Sequence, residues 1–519
     1  MKSQDELLCG TVARDGLAPL WNSVSRLGSE GLQQRARLRD NYLAVQGITF
    51  TLSGKERPLP IDLVPRVIKA AEWLTVESGV QQRVRAVEAF LADVHGEQRI
   101  LADGVVPREL VTGSPLHLRA AYGVRPPNGV RVHVAGIDIV RDEHGELLVL
   151  EDNLRCPSGV SYVLENRRTL AHVVPEIFDS YAVRSVQEYP ERLLESLQRS
   201  APHGVRDPVV VVLTPGVFNS AHFEHAFLAR RLGVELVEGR DLYCKGNRVF
   251  MRTTGGSSPV HVIYRRIDDE YLDPVQFRGD SILGVPGLLN AARAGHVAIA
   301  NAVGNGVADD KVVFAFVPQM IEYYLRERPI LRQVETFDLR DAATLERVLD
   351  DMENLVAKPA TGSGGGGIMI GPRATREEID AARDAVAREP RLWAVQPVVS
   401  LSTCPTVLDD GTLAPRHVDL RPFAVNNGDD VWVLPGGLTR VALVEGSLIV
   451  NSSQGGGSKD TWVLAANSQD WSQPIPRPVT AVRDVLNGDL PRDPGPDALP
   501  DTRLRQQMEQ QQQQRGAAC

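Results

Sequence analysis

The chain has 519 residues, of which 43% are hydrophobic and 24% are charged, and its formal net charge is −9. This composition is typical of a globular protein of two to four domains, and the acidic balance argues against general binding to nucleic acid or to an anionic membrane. No apolar run reaches the ~20 residues of a membrane span, and no secretory signal pattern is visible. The five widely spaced cysteines indicate neither a disulfide framework nor a zinc site. We therefore expect a cytoplasmic protein.

The first two hundred residues carry mostly helical patterns interrupted by one pair of strands. Residues 1–60 predict an N-terminal helical segment, and a stronger helical pattern follows from 65 to 95. Two apolar runs, 130–140 and 147–150, are joined by turn residues and predict a β-hairpin. Residues 61–205 are accordingly assigned to one domain of helices and strands.

From residue 206 onward the pattern becomes that of a parallel sheet. Val209–Leu213 is a continuous apolar strand, and a helix and a second strand follow it, which predicts a βαβ unit buried on both faces. We assign 206–300 to a Rossmann-like α/β domain and 301–472 to a further lobe of strands and helices. Residues 473–519 are rich in Pro and Asp and then in Gln, which predicts a disordered tail capable of docking on a protein partner.

The first motif with chemical content ends the second strand of the hairpin. Glu151 and Asn153 are two residues apart, so their side chains project from one face of the strand. A carboxylate and an amide oxygen side by side suit a hard cation such as Mg²⁺. Taken alone, the pair is better explained as a polar turn at the end of a strand.

A second motif is a lysine followed by a glycine loop. Lys358 ends a predicted strand. The glycines of the loop that follows have no Cβ atoms, so the backbone N–H groups of the loop can close around phosphate oxygens. The motif is not a Walker A loop, because no Gly-Lys-Ser/Thr ends it. A flexible linker is the alternative. The candidate phosphate contacts here are Lys358, Gly362, Ser363, Gly364, Gly365 and Gly366.

Two predicted strands downstream add polar side chains. Gln396 lies on the apolar strand Trp393–Val399, which is suited to pack against an adenine ring and to offer backbone groups to its edge. Asp419 and Arg421 share one face of the strand Arg416–Val425, where charged groups need partners. A core strand and a salt-bridged sheet face are the respective alternatives.

Two further lysines stand in settings that suit an anion. Lys459 lies in a second Gly/Ser-rich loop, and Lys311 follows two acidic residues at a predicted helix start. Helix capping explains the acidic pair well and leaves Lys311 unexplained.

In this order, the motifs resemble those of the circularly permuted ATP-grasp proteins of type 2, relatives of glutathionylspermidine synthetase. In the ordinary ATP-grasp order the lysine and glycine loop precede the metal strands, whereas here Asp138, Glu151 and Asn153 come before Lys358. The resemblance covers about residues 60–465. It implies an α/β (α+β) class and a circularly permuted ATP-grasp fold, with 206–300 inserted as a pre-ATP-grasp-like domain.

The resemblance also implies an ATP- and Mg²⁺-dependent carboxylate–amine ligase that forms ADP through an acyl-phosphate. Two Mg²⁺ ions, for which Mn²⁺ can substitute, would be held by Asp138, Glu151 and Asn153. The nucleotide contacts would be Lys311, Lys358, Gly362, Ser363, Gly364, Gly365, Gly366, Gln396, Asp419 and Lys459. The substrates would be a small-molecule or peptide carboxylate and an amine.

One position departs from the pattern of the relatives. In glutathionylspermidine synthetase an arginine stands two residues before the first metal aspartate, whereas this chain has Gly136 there. If the activity is the same, another arginine must replace the missing one, and the candidates are Arg131, Arg155, Arg421 and Arg440. We take Arg155, Arg421 and Arg440 as the catalytic candidates.

The contacts to the substrates are predicted in two loops and one strand end. The candidates are Ser158, Ser161, Tyr162, Phe218, Asn219, Ser220 and Arg265. Two other functions remain open, a phosphotransferase or adenylyltransferase acting on a protein and a non-catalytic nucleotide-binding regulator. The presence of all three metal ligands favours chemistry over binding alone.

Overall fold

The computed structural model describes residues 4–52, 55–362, 366–450, 456–466 and 502–514. Within these ranges the strands are short and fall into several sheets. In chain order they are β1 Leu8–Cys9, β2 Val12–Ala13, β3 Thr49–Leu52, β4 Lys55–Pro58, β5 Arg66–Ile68, β6 Val134–Arg141, β7 Leu147–Asn153, β8 Val210–Leu213, β9 Glu235–Val237, β10 Leu242–Lys245, β11 Arg248–Thr253, β12 Gly256–Val260, β13 Val262–Arg265, β14 Ala298–Ala300, β15 Arg332–Gln333, β16 Leu355–Pro359, β17 Met369–Ile370, β18 Trp393–Pro397, β19 Thr403–Val407, β20 Leu413–His417, β21 Phe423–Asn426, β22 Val431–Val433, β23 Thr439–Val441, β24 Gly457–Lys459 and β25 Thr461–Val463.

The helices of the same ranges include two long ones near the N-terminus and a short one near the C-terminus. They are α1 Ala18–Gln46, α2 Ala70–Val94, α3 Arg99–Ala102, α4 Arg108–Thr112, α5 Val160–Val173, α6 Tyr189–Arg199, α7 His222–Leu232, α8 Asp269–Leu272, α9 Leu288–Arg293, α10 Gly306–Asp309, α11 Val317–Met320, α12 Ala342–Asp350, α13 Arg376–Arg388 and α14 Thr502–Gln513. Gly28 interrupts α1 with a φ of 63°, a conformation that glycine adopts without strain.

A five-stranded sheet in the order β15-β7-β6-β21-β22 forms the centre of the molecule. Its alternating side chains sort into two sets, because successive residues of a strand point to opposite faces. Ala135, Ile137 and Ile139 of β6 join the hydrophobic core around α2. Asp138, between them, therefore points to the other side of the sheet, where the site described below lies.

The α/β domain is built on a parallel sheet in the order β14-β13-β8-β9. Its strands are apolar on both faces, and α7 connects β8 to β9 as in the predicted βαβ unit. The loops that follow β8 and β13 emerge from the same edge of the sheet, because the two strands run parallel. That edge is where open α/β sheets place their ligands.

One side chain joins the α/β domain to the central sheet. Asn301, directly after β14, accepts hydrogen bonds from the backbone N–H groups of His133 and Val134, at 2.8 and 2.9 Å. Its amide nitrogen donates to the carbonyls of Val134 and Leu154, at 2.6 and 2.8 Å. These four bonds attach the α/β sheet to the start of β6 and the end of β7.

A smaller lobe carries the glycine loop. It consists of the antiparallel sheet β17-β16-β18 covered by α12 and α13, around a core of its own. Two features account for α13 and its first residue. The helix is amphipathic, and it begins with a capping box in which Thr375 and Glu378 exchange hydrogen bonds with each other's backbone.

The predicted fold class is confirmed, as are the hairpin of β6 and β7 and the βαβ unit. The segments assigned to 61–205 and 301–472 share the central sheet, so they form one structural unit rather than two. The predicted disorder of the tail is wrong for 502–514, where the chain forms α14, and most of the remaining tail lies outside the described residues. None of the helices described combines the length and apolar character that a membrane crossing requires.

Candidate active site

Three predicted metal ligands meet on neighbouring strands. Asp138 of β6 lies directly opposite Glu151 of β7, and Gly136 lies opposite Asn153. The two-residue spacing of Glu151 and Asn153 places both on the face that Asp138 shares. The amide nitrogen of Asn153 donates to Asp138 Oδ1 at 3.3 Å and to the carbonyl of Gly136 at 3.2 Å.

Two buried arginines hold Asp138. Arg421 donates from Nε to Oδ1 at 2.5 Å and from Nη2 to Oδ2 at 3.0 Å, and Arg440 Nη2 donates to Oδ2 at 2.6 Å. Arg440 also pairs with Asp419, its Nε lying 3.0 Å from each carboxylate oxygen. Burial alone would raise the pKa of Asp138, but the two guanidinium groups outweigh it and hold that pKa well below its usual range. Asp138 is therefore a carboxylate at neutral pH.

Two lysines face this cluster, Lys311 from the segment after α10 and Lys358 from the smaller lobe. Lys311 Nζ lies 3.4 Å from Glu151 and donates to the carbonyl of Gly362 at 2.8 Å. Lys358 Nζ, on β16, donates to Gln396 Oε1 at 2.8 Å, and Gln396 in turn donates to Thr336 at 2.8 Å. Desolvation lowers the pKa of Lys358 to about 8, although Glu151 opposes the shift.

These groups line one cavity between the central sheet and the smaller lobe, which we call the central cavity. Its polar lining contains Asp138, Glu151, Asn153, Lys311, Lys358, Gln396, Asp419, Arg421 and Arg440, with Gly362 and Gly366 at the glycine loop. Its apolar lining includes Val334, Val356, Ile368, Ile370, Val398, Val399, Leu401, Leu448, Ile449 and Val450. An apolar slot beside a charged end has the form of a nucleotide site.

The close packing at Gly136 accounts for the missing arginine. A Cβ atom there would lie 3.0 Å from the Pro157 side chain and 3.2 Å from Arg421 Cδ. Arg421 therefore occupies the space into which a side chain at position 136 would extend. Arg131 is buried elsewhere and donates to the carbonyl of Val124. Of the four candidates, the structure brings Arg421 and Arg440 to the cavity.

Two predicted site residues lie outside this cavity, and their roles are structural. Arg155 pairs with Asp309 at 2.7 Å and with Asp268 at 3.7 Å. Lys459 is fully buried, where it pairs with Asp62 at 2.5 Å and donates to two backbone carbonyls. Neither residue lines the central cavity, so the catalytic role predicted for Arg155 and the nucleotide contact predicted for Lys459 stay predictions without support from this geometry. Ser363, Gly364 and Gly365 lie outside the described residues.

The predicted substrate residues of the 158–162 loop are buried in structural contacts. Ser161 donates to Glu224 at 2.8 Å, and Ser158 bonds to the guanidinium of Arg266. Tyr162 donates to the carbonyl of Thr49 at 3.1 Å. Burial and these contacts argue against a substrate role for the three residues.

The remaining predicted substrate residues belong to the α/β domain. Arg265 is fully buried and donates to the carbonyls of Asn301 and Ile267, at 2.8 and 2.7 Å. Phe218, Asn219 and Ser220 form the loop after β8. That loop contacts α14, as described below.

Sequence reasoning anticipated Val398 and Val399 in the apolar wall of the cavity but missed the rest of that wall. Val334 follows β15, and Leu448, Ile449 and Val450 come from an irregular segment after β23. The run Leu448-Ile449-Val450 before a Gly/Ser-rich stretch was an available signal, similar to that of the strand before the first glycine loop.

The residues present fit Mg²⁺ and a nucleotide triphosphate. Asp138, Glu151 and Asn153 supply hard oxygen donors on one face of the sheet, and the low pKa of Asp138 keeps it ionised. Lys311, Lys358, Arg421 and Arg440 add four cationic groups to the lining of the same cavity. Among the residues described, no cluster of three or more His, Cys, Asp or Glu side chains is placed to hold a metal ion. Asp138 and Glu151 would therefore hold Mg²⁺ together with the amide oxygen of Asn153 and the phosphate oxygens of the nucleotide.

A family model described as circularly permuted ATP-grasp type 2 matches residues 65–442. The chain belongs to this family. An uncharacterized protein of Mycobacterium tuberculosis, Rv2411c, is 61% identical to this chain over 434 residues, which cover 84% of this chain and 79% of the relative. The predicted resemblance is thus confirmed, and the ATP-grasp assignment rests on most of the chain.

Two further likenesses bear on the type of enzyme. A Frankia casuarinae protein named "Putative glutamate--cysteine ligase 2-2" is 46% identical over 459 residues, which cover 87% of this chain and 53% of that protein. The structure of a glutathione synthetase-like effector, GSS30, from Globodera pallida matches with a TM-score of 0.55 at 12% identity, over 83% of this chain and 97% of that one. The second likeness concerns the fold alone.

Proposed function

We propose that the chain is an ATP- and Mg²⁺-dependent carboxylate–amine ligase that forms ADP. The observation that carries the proposal is the central cavity, where Asp138, Glu151 and Asn153 face Lys311 and Lys358. Membership of the ATP-grasp family and the ligase name of the Frankia relative support an ATP-dependent ligase. The substrates are a carboxylic acid and an amine.

Different residues of the cavity would bind Mg²⁺, the phosphates and the adenine ring. Asp138, Glu151 and Asn153 would hold Mg²⁺, which neutralises the β- and γ-phosphates when bound. Lys311, after α10, and Lys358, on the smaller lobe, reach the same space and would bind the remaining phosphate oxygens. The apolar wall formed by Val398, Ile449 and their neighbours would receive the adenine ring.

The reaction would then proceed in two transfers. A carboxylate oxygen attacks the γ-phosphorus, and the bond from that phosphorus to the β–γ bridging oxygen breaks, so ADP leaves and an acyl-phosphate forms. The amine nitrogen next attacks the acyl carbon, inorganic phosphate departs with the bonding electrons, and the amine loses a proton. Arg421 and Arg440, fixed on Asp138, line the same cavity and would stabilise negative charge on the transferring phosphoryl group.

The test is product analysis with pooled acids and amines. The purified chain is incubated with Mg·ATP and either pool alone or both together, and ADP, AMP, phosphate and pyrophosphate are quantified. We expect ADP and phosphate in amounts that depend on both pools. AMP and pyrophosphate would instead indicate adenylyl transfer, and ADP formation with a protein acceptor but without an amine would indicate a phosphotransferase.

Mg·ATP binding is a separate and simpler measurement. A ligand that binds only the folded state raises the melting temperature in proportion to the logarithm of its concentration above Kd. We expect saturable stabilisation by Mg·ATP. Absence of any stabilisation at millimolar Mg·ATP would overturn the proposal, including its non-catalytic alternative.

A further inference from the structure

The C-terminal helix α14 lies across the ligand-binding edge of the α/β domain. It contacts the loop after β8, the segment after β13, and residues 280–282. We call the surface formed by these three segments the tail cleft. Its place at the carboxyl ends of two parallel strands is where α/β sheets hold ligands.

Three backbone N–H groups of the tail cleft donate hydrogen bonds to the side-chain oxygens of three glutamines. Phe218 N donates to Gln511 Oε1 at 3.1 Å. Asp268 N donates to Gln514 Oε1 at 2.8 Å, and Ile282 N donates to Gln510 Oε1 at 2.9 Å. The three donors belong to different loops that only the folded domain brings together, so the cleft recognises side-chain carbonyl oxygens at a fixed spacing.

Other contacts fix the backbone and the amide groups of the helix. Asn219 Nδ2 donates to the carbonyls of Gln511, at 3.3 Å, and of Gln514. Gln510 Nε2 donates to the carbonyl of Asp280 at 2.8 Å. Gly216 has a φ of 121°, and a Cβ atom there would overlap the carboxamide of Gln511.

The buried glutamines of the tail lie on one side of the helix. Gln510, Gln511 and Gln514 are 3%, 1% and 2% exposed, whereas Gln512 and Gln513 are exposed to solvent. Positions i, i+1 and i+4 lie on one face of a helix. Burying a carboxamide oxygen is unfavourable unless it is hydrogen-bonded, and the Oε1 atoms of all three buried glutamines accept a backbone hydrogen bond, which indicates a specific contact.

The tail cleft also adjoins the metal strands. Asp268, whose N–H holds Gln514, pairs through its carboxylate with Arg155 at 3.7 Å. Arg155 stands two residues after Asn153. The C-terminal end of α14 is thus the end nearer to the central cavity.

We propose that the tail cleft is a peptide-binding site for a glutamine-bearing helix and that residues 502–514 of this chain are its resident ligand. The site is distinct from the central cavity, because Phe218, Asp268 and Ile282 are not among the cavity's lining residues. The proposal does not depend on the ligase activity. It places the tail on its own chain, where the sequence had predicted a segment that docks on a partner.

The test uses the full chain and compares buried with exposed glutamines. The variant Gln510→Ala/Gln511→Ala/Gln514→Ala removes the three acceptors, and Gln512→Ala is the matched control on the same helix. Hydrogen exchange is followed at the amides of Phe218, Asp268 and Ile282. We expect exchange at least tenfold faster in the triple variant and unchanged in the control. Equal protection in all three proteins would overturn the proposal.

A second measurement tests the same contacts in trans. A fluorescein-labelled synthetic peptide with the sequence of residues 502–514 is titrated with the triple variant, whose own tail competes weakly. We expect saturable binding at least tenfold tighter than to the wild-type chain. A peptide with the same three alanines should bind at least tenfold more weakly, and a Gln512→Ala peptide within twofold of the parent.

The outcomes separate this proposal from the proposed function. No saturable binding of the parent peptide, or equal binding of the triple-alanine peptide, excludes the tail cleft as a glutamine site whatever Mg·ATP does. If the triple variant does not fold, the single substitution Gln511→Ala serves in the exchange experiment with the same control. Neither readout involves ATP, so a failure of ligase activity leaves both interpretable.

Discussion

The central cavity presents charged side chains, whereas the tail cleft presents backbone N–H groups. In the cavity, Asp138 and Asp419 hold two arginines, and Lys311 and Lys358 face them across the opening. In the cleft, Phe218, Asp268 and Ile282 donate from the main chain to neutral carboxamides. Charged side chains appear in the sequence as motifs, but backbone donors can come from any residue type. The two regions therefore differ in how visible they are before the structure is known.

The largest expected effect concerns the ion pairs that build the cavity. Arg440→Leu leaves Asp419 buried without its guanidinium partner and removes one of the two arginines on Asp138. Removing one partner of a buried ion pair destabilises a protein by about 3–5 kcal/mol. We expect a loss of this size in urea unfolding. Arg376→Leu, which breaks an exposed pair with Asp380, should change stability by less than about 1 kcal/mol.

An Arg440→Leu variant as stable as the wild type would mean that the cluster of Asp138, Asp419 and Arg440 contributes no net stability. The apolar residues of the cavity, rather than its ion pairs, would then stabilise the cavity. The central cavity and the tail cleft would no longer differ in the kind of interaction that builds them.

The next effect is on turnover. Lys358→Ala and Glu151→Ala should each lower ADP formation by about 10²–10³-fold, the usual cost of removing one electrostatic contact to a transition state. The matched controls are Lys245→Ala and Glu143→Ala, both at exposed positions. Rates come from a coupled ADP assay, with melting curves to establish folding. Turnover within threefold of wild type in Lys358→Ala would remove that lysine from the proposed mechanism.

A smaller effect follows from the lowered pKa of Lys358. Its charged form is the one that attracts phosphate, and this form is lost as the pH rises through about 8. The Kd for Mg·ATP should therefore be constant below that pH and rise by up to about tenfold per pH unit above it. Lys358→Arg should remove this dependence between pH 7 and 9.5, because arginine stays protonated. Isothermal titration at several pH values measures both, and a flat wild-type profile would contradict the assignment.

The smallest effect tests the independence of the two regions. The stabilisation by Mg·ATP should be the same, within about 1 °C, in the wild type and in the Gln510/Gln511/Gln514 triple-alanine variant, because no lining residue of the cavity belongs to the tail cleft. Thermal shift titrations of both proteins give the comparison. A large change in the triple variant would show that occupancy of the cleft alters the cavity.

Much of the fold was accessible from sequence because its signals are local or follow the family order. The alternation in β6 and β7 marks the hairpin, and the apolar run at β8 marks the parallel sheet. The motif order identifies the permuted ATP-grasp arrangement, which the family match confirms. The position of Lys358 beside Gln396 also follows from two paired strands.

The choice among the four arginines was not accessible, because it depends on contacts between distant segments. Arg421 and Arg440 reach Asp138 across nearly 300 residues of sequence, with separations of 283 and 302. The burial of Lys459 was not accessible from the sequence either. Its Gly/Ser-rich surroundings suggest a phosphate loop, but strand pairing of β23 with β24 carries it into a buried contact with Asp62.

The tail helix escaped prediction for a related reason. A run of glutamines has no apolar periodicity, so nothing in it indicates a buried face. What orders it is a set of loop amides in a domain about 230 to 290 positions earlier in the chain, as the separations of 228 and 293 for Gln510 and Gln511 show. The composition of such a tract predicts that it is disordered in isolation. It does not predict whether the tract becomes helical when it contacts a complementary surface.

The four hydrogen bonds of Asn301 have a mechanical consequence. They join β14 to the start of β6 and the end of β7, so the α/β domain and the metal strands must turn as one body. A hinge between them would have to break all four buried bonds at once. The lobe of β16, β17 and β18 contacts the rest of the molecule through Arg391, whose Nη2 lies 2.7 Å from Asp310, and through Gly362, whose carbonyl accepts a hydrogen bond from Lys311 at 2.8 Å. If that lobe moves, the α/β domain and the metal strands stay fixed to each other.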